Sequence, residues 1–107
     1  MLLTTTGELA GYQVVAQHGL VEANMVQSKH LGRDIAAGLK SMFGGEIRGY
    51  SEMMTEARKK AKLRLIAQAE ALGANAVIGV RYTTSSIAAG MCEILAFGTA
   101  VSVQPMG

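Results

Sequence analysis

Between Ser51 and Gly73 the chain sets Met54, Ala57, Ala61, Leu65, Ala69 and Leu72 three or four positions apart. That spacing returns each side chain to one face of an α-helix and predicts a helix from about Glu52 to Leu72. Half of the stripe is alanine, so the helix can pack flat and close, as on a sheet. Ser51 reads as its N-cap and Gly73 as the glycine that ends it, because glycine accepts the left-handed conformation common at helix C-termini. Glu56 and Lys60 are spaced to pair on the solvent side.

The sequence on either side supplies the strands such a helix needs. Gly11 to Ala23 is β-branched and partly alternating, which reads as one long strand or two short ones, with His18-Gly19 as a kink or bulge. Ala74–Thr84 and Met91–Val103 read as two more strands, joined through Ser85–Gly90 as a hairpin. In the last strand Leu95, Phe97, Val101 and Val103 share one face and Ile94, Ala96, Gly98 and Ala100 the other, so both faces call for a cover. A short helix over Leu31, Ile35, Leu39 and Met42 is expected ahead of Gly44-Gly45, which reads as its stop. The expected fold is α+β, a two-layer sandwich. A mainly antiparallel three-stranded sheet packs on one long helix plus a short helix, in the order β-α-α-β-β. No repeat or linker divides residues 1–107, so a single domain is expected.

Half of the 107 residues are hydrophobic and 17% are charged, against roughly 25% charged in ordinary soluble domains. A core this small absorbs little of that excess, and the reading favours a subunit interface in a homo-oligomer. A net charge of +2, no Trp and 5% aromatic residues disfavour nucleic acid as a partner. The N-terminus shows no basic segment followed by an apolar run, and no apolar stretch approaches the ~20 residues of a spanning helix. With a lone cysteine, Cys92, this gives the expectation of a cytoplasmic protein without a membrane partner.

Several segments then fit together: Thr4-Thr5, Gly11-Tyr12, Arg33-Asp34, Ala37-Gly38, Gly44-Gly45, Tyr50, Ala57-Arg58, Gly73-Ala74-Asn75-Ala76-Val77-Ile78-Gly79 and Gly98-Thr99-Ala100-Val101. In that order and spacing they resemble the YbjQ-like family of small bacterial proteins over nearly the whole chain. The resemblance implies a dodecin-like subunit, assembly into a ring, a pentamer, and a heavy-metal-binding label with no defined activity. The chain departs from the resemblance at Val21-Glu22-Ala23, where a Val-x-Gly step is expected, and a changed local twist follows from that.

A soft metal needs thiolates, thioethers or imidazoles that converge. Cys92 and His18 are the candidates, with His30 and seven methionines beside them. No spaced ligand pair occurs. Met53 and Met54 project about 100° apart on a helix, and Met91, Cys92 and Glu93 alternate in direction on a strand. Arg33, Asp34, Tyr50, Arg58 and Glu93 lie in or beside apolar segments and are the candidates for a cleft between subunits. Arg58 falls next to the alanine stripe, within reach of a carboxylate such as Glu93. The Gly44–Gly49 loop lacks the Gly-Lys-Ser/Thr ending of a phosphate-binding loop. Arg58, Lys59, Lys60, Lys62 and Arg64 spread around the helix and read as a solvated face.

The reading is an oligomeric binding or scaffold protein whose ligand, a metal ion or small molecule, sits at a subunit-shared site. No residue set specifies catalysis. The alternatives are an enzyme whose site is assembled between subunits from Arg33, Asp34, Tyr50 and Glu93, and a basic-helix module for nucleic acid.

Overall fold

The structure, a computed structural model, describes residues 1–28, 45–88 and 90–107, without the side chains of residues 28 and 45–50. Its elements are β1 (Leu2–Leu3), β2 (Tyr12–Ser28), α1 (Gly45–Ala71), β3 (Ala76–Ala88) and β4 (Met91–Pro105). They form one four-stranded sheet in the order β1-β3-β4-β2 with α1 on one face. The fold is α+β as expected, but the sheet is mixed: β1 runs parallel to β3, while β2 and β3 each run antiparallel to β4. The expected three-stranded sheet lacked β1 because two residues carry no periodicity. The strand is placed by backbone bonds to β3 and its lead-in, Leu2 N–H to Asn75 at 3.1 Å and Thr4 N–H to Val77 at 3.1 Å. The short helix expected over Leu31–Met42 lies outside the described residues.

Helix α1 begins at Gly45, about two turns before the expected start. Ser51 is therefore no N-cap: it lies within the helix, and its carbonyl accepts the Thr55 hydroxyl at 2.9 Å. The C-terminus follows expectation. Gly73, at φ +83°, turns the chain out of the helix. Its N–H reaches Glu70 at 3.0 Å, and the Ala74 N–H reaches back to Ala69 at 3.1 Å. These two bonds are the paired closures of a Schellman motif, and Ala69 and Ala74 make its apolar contact within the core.

Ala57, Ala61, Leu65 and Ala69 are fully buried, while Met54 packs on the core edge. Leu72 departs from the expected stripe and is exposed, because the terminal turn has already begun there. Opposite the helix lie Val21 and Ala23 of β2, Val77 and Val80 of β3, and Ile94, Ala96 and Ala100 of β4. Glu56 pairs with Lys59 at 3.7 Å, one residue short of the expected Lys60.

The second face of β4 is divided. At one end Ala76, Val101 and Val103 are covered by Leu9 and Tyr12; further along, Leu95 and Phe97 are half-buried. Two irregularities shape the sheet. The β2–β4 register shifts at Val14/Ala16 and at Gln17/Gly19, which places a bulge at His18 as expected. In β3, Gly79 and Val80 together oppose the single Gly98, and Gly79 takes φ +62°. That bulge turns the Gly79 and Val80 N–H groups to Thr6 and Thr4, at 2.8 and 2.9 Å. The expected Ser85–Gly90 hairpin loop is shorter than predicted, since β3 runs on to Ala88.

Asn75 extends the β3–β4 ladder with its side chain. Its Oδ1 accepts the Val103 N–H at 2.8 Å, and its Nδ2 donates to the Val103 carbonyl at 3.0 Å.

Candidate functional site

Cys92 is the second residue of β4, paired with Ser86 and Gln27. Ile94 and Ala96 face α1, and the two-residue period of the strand turns Cys92 to the same side. Met54 extends the buried stripe of α1 by one turn beyond Ala57. The two side chains meet there, with the Cys92 thiol donating to the Met54 Sδ at 3.1 Å. Around them is a cavity of about 180 Å³ lined by Met53, Met54, Ser86, Ala88, Gly90, Met91 and Cys92.

Met53 reaches the same wall as Met54 although the two leave the helix about 100° apart, because a thioether on three rotatable bonds bends toward an available gap. Met91 lines it beside Cys92 because the β3–β4 register is irregular next to the turn, where Ala88 rather than Ile87 faces Met91. The cavity thus brings together the Cys92 thiol and the Met54 thioether, with Met53 and Met91 among its lining residues and all four half-buried. Thiolate and thioether sulfur are soft donors and select soft ions such as Cu(I). Among the described residues no three or more His, Cys, Asp and Glu side chains converge as a metal site. This donor set therefore fits a heavy metal and offers little to calcium or magnesium, which take oxygen.

The other candidates lie elsewhere. His18 sits in the β2 bulge, its Nε2 at 2.8 Å from the Ser102 hydroxyl. Ser102 and Cys92 are ten positions apart on β4, about 33 Å at strand rise, so His18 and Cys92 do not share an ion within one chain. Glu93 projects from the sheet face away from α1 and accepts from the Asn24 amide at 3.2 Å. It lines a groove of about 600 Å³ with Leu20, Glu22, Asn24, Gln68 and Leu95. The expected reach of Arg58 to Glu93 does not occur: the guanidinium is on the helix side and donates to Thr55 Oγ1 at 3.3 Å. Tyr50, expected just ahead of the helix, lies within α1, and its side chain is outside the described set. Arg33, Asp34 and His30 lie outside the described residues.

The sulfur site escaped the sequence because Met54 and Cys92 are separated by 38 positions and no motif spacing links a helix methionine to a strand cysteine. The one legible signal was the stripe itself, which points Met54 at the sheet.

With the geometry established, comparison with known proteins places the chain. A family model described as "Putative heavy-metal-binding" matches residues 1–104. A UPF0145 protein of Vibrio parahaemolyticus is 57% identical over 103 residues, covering 96% of this chain and 98% of its own length. Another from Thermotoga maritima is 56% identical over 104 residues, covering 97% of this chain and 98% of its own. The fold is similar to the crystal structure of a DUF74-family protein of unknown function from Pediococcus pentosaceus, with TM-score 0.68 at 23% identity over 97% of this chain and 98% of that one. Matched along almost its whole length by the family model and by relatives at more than half identity, the chain belongs to the YbjQ-like, or UPF0145, family.

Proposed function

We propose that this protein is a homo-oligomeric binding protein whose ligand is a soft metal ion held by Cys92 and Met54, with Met53 and Met91 completing the sulfur wall. The observation that carries the reading is the 3.1 Å contact between the Cys92 and Met54 sulfurs beside a cavity whose lining residues include Met53 and Met91. The ion takes the place of the thiol proton between the sulfurs, so binding releases that proton and strengthens as pH rises. Storage or delivery of the ion needs nothing more from the protein than this donor set and a protected position.

Self-association is the second half of the proposal, and a pentameric ring is the form the family resemblance implies. Its support is the apolar surface: Leu20 is 67% exposed and shares the sheet face away from α1 with half-buried Leu95 and Phe97. Among the described residues no helix is long and apolar enough to cross a membrane.

The test is titration of the full chain with Ag(I), a redox-stable stand-in for Cu(I), read by native mass spectrometry. The expected result is one ion per chain on a multimer of the 11.2 kDa subunit, with Cys92→Ser and Met54→Leu each weakening retention by at least about tenfold. Equal retention by the wild type and both variants would refute the sulfur site.

A further inference from the structure

We infer that a second site, on the opposite flank of α1 from the β2 edge, binds a small phosphate-bearing anion. Thr55 precedes Arg58 and Lys59 by three and four residues, and Lys62 follows them by four and three, so the four occupy one side of the helix. Tyr82 of β3 stands across from them, and the five side chains line a cleft of about 290 Å³. Three of the five are cations, and no carboxylate lines the cleft. Among the described residues the ion pair at this flank is Lys59 with Glu56, at 3.7 Å and largely exposed on both sides, which leaves it weak.

The cleft is organised for a ligand with several acceptor oxygens. The Thr55 hydroxyl donates to the Ser51 carbonyl at 2.9 Å and accepts Arg58 Nη2 at 3.3 Å. The guanidinium is thereby steered along the helix, and among the described residues its other N–H groups have no partner and can fork onto phosphate oxygens. Arg58 and Lys62, one turn apart, repel each other until an anion lies between them. The Tyr82 phenol adds a neutral donor.

Size and charge layout select a compact ligand over a polymer. The cleft is at the small end of ligand pockets, which run from about 300 Å³ upward, enough for phosphate, pyrophosphate or a small phosphate ester. The other two cations of the Arg58–Arg64 run do not extend it into a track. Arg64 is turned to the β2 edge, donating to the Asn24 carbonyl at 2.8 Å, and Lys60 leaves the helix between the two flanks. A nucleic-acid backbone would need a continuous basic path that this helix does not present. The inference is independent of the sulfur site.

Isothermal titration of the full-length protein with inorganic pyrophosphate at low ionic strength tests it. The expected result is saturable binding of one pyrophosphate per chain. It should be weakened at least about tenfold by Arg58→Gln with Lys62→Gln, and measurably by Lys62→Gln alone. Lys60→Gln, on a different side of the same helix, should leave the affinity unchanged. All three positions are exposed, so the variants are expected to melt like the wild type. Absence of saturable binding, or an equal loss with Lys60→Gln, would overturn the site in favour of a diffuse positive surface. Binding of a single-stranded oligonucleotide without binding of pyrophosphate would overturn it in favour of nucleic acid.

Discussion

At Gly98, β4 passes the β3 bulge so closely that a Cβ would stand 2.7 Å from Val77 Cγ1 and 3.0 Å from the Ile78 carbonyl oxygen. Neither neighbour is the free end of a flexible side chain: Val77 is fully buried, and Ile78 offers backbone. Gly98→Ala is therefore expected to lower the unfolding free energy by about 1–3 kcal/mol, the usual result of overpacking a tight core, as measured by urea denaturation. Cys92 shows the opposite situation. It is a small half-buried side chain whose own backbone does nothing unusual, and everything that distinguishes it comes from the Met54 sulfur brought to it across the layer boundary. A residue's character here is set by what the fold places next to it.

At the scale of elements, α1 is held by its narrow face. The side chains of Ala57, Ala61 and Ala69 contribute little apolar area each, and among the described residues Leu65 is the one large side chain of that face to be fully buried. Leu65→Ala is expected to cost about 2–5 kcal/mol, because the packing around a fully buried leucine fills the resulting gap only in part; chemical denaturation followed by circular dichroism checks this. The same helix guards the free edge of β2, where Gln68 Oε1 accepts the Glu22 N–H at 3.3 Å and Arg64 occupies the Asn24 carbonyl at 2.8 Å. Those bonds use edge groups that would otherwise invite another strand. The basic run of α1 thus has two duties on two flanks, one toward β2 and one toward the Tyr82 cleft.

For the whole molecule, the demand that the described residues leave open is cover for the sheet face that α1 does not reach. Among the described residues Leu20, at 67%, is the most exposed large apolar side chain. Leu20→Asp places a charge on that face, on its edge strand β2, without touching the core beneath α1. It is expected to shift native mass spectra from the multimer toward the 11.2 kDa subunit while the far-ultraviolet circular dichroism stays unchanged. A multimer unaffected by this substitution would locate the subunit contact elsewhere.

The sequence by itself determined those features whose physics is local. Gly73 stops α1 because a left-handed residue there closes the two terminal bonds of the helix. The four-residue spacing of Ala57, Ala61, Leu65 and Ala69 selects the buried face, and His18-Gly19 breaks the register of β2 where glycine follows a polar residue. The first turns of α1 were not legible, because Gly44-Gly45 signals a stop in any local reading and the helix nevertheless includes Gly45. Tertiary structure alone decided the remainder. Strand β1 is too short to have a pattern and is held by backbone bonds to residues more than 70 positions away. The candidate sites followed the same rule: Met54 and Cys92, or Arg58 and Tyr82, belong to different layers. Their proximity depends on how a helix settles on a sheet, a choice made by the summed packing of the core and by no spacing within the chain.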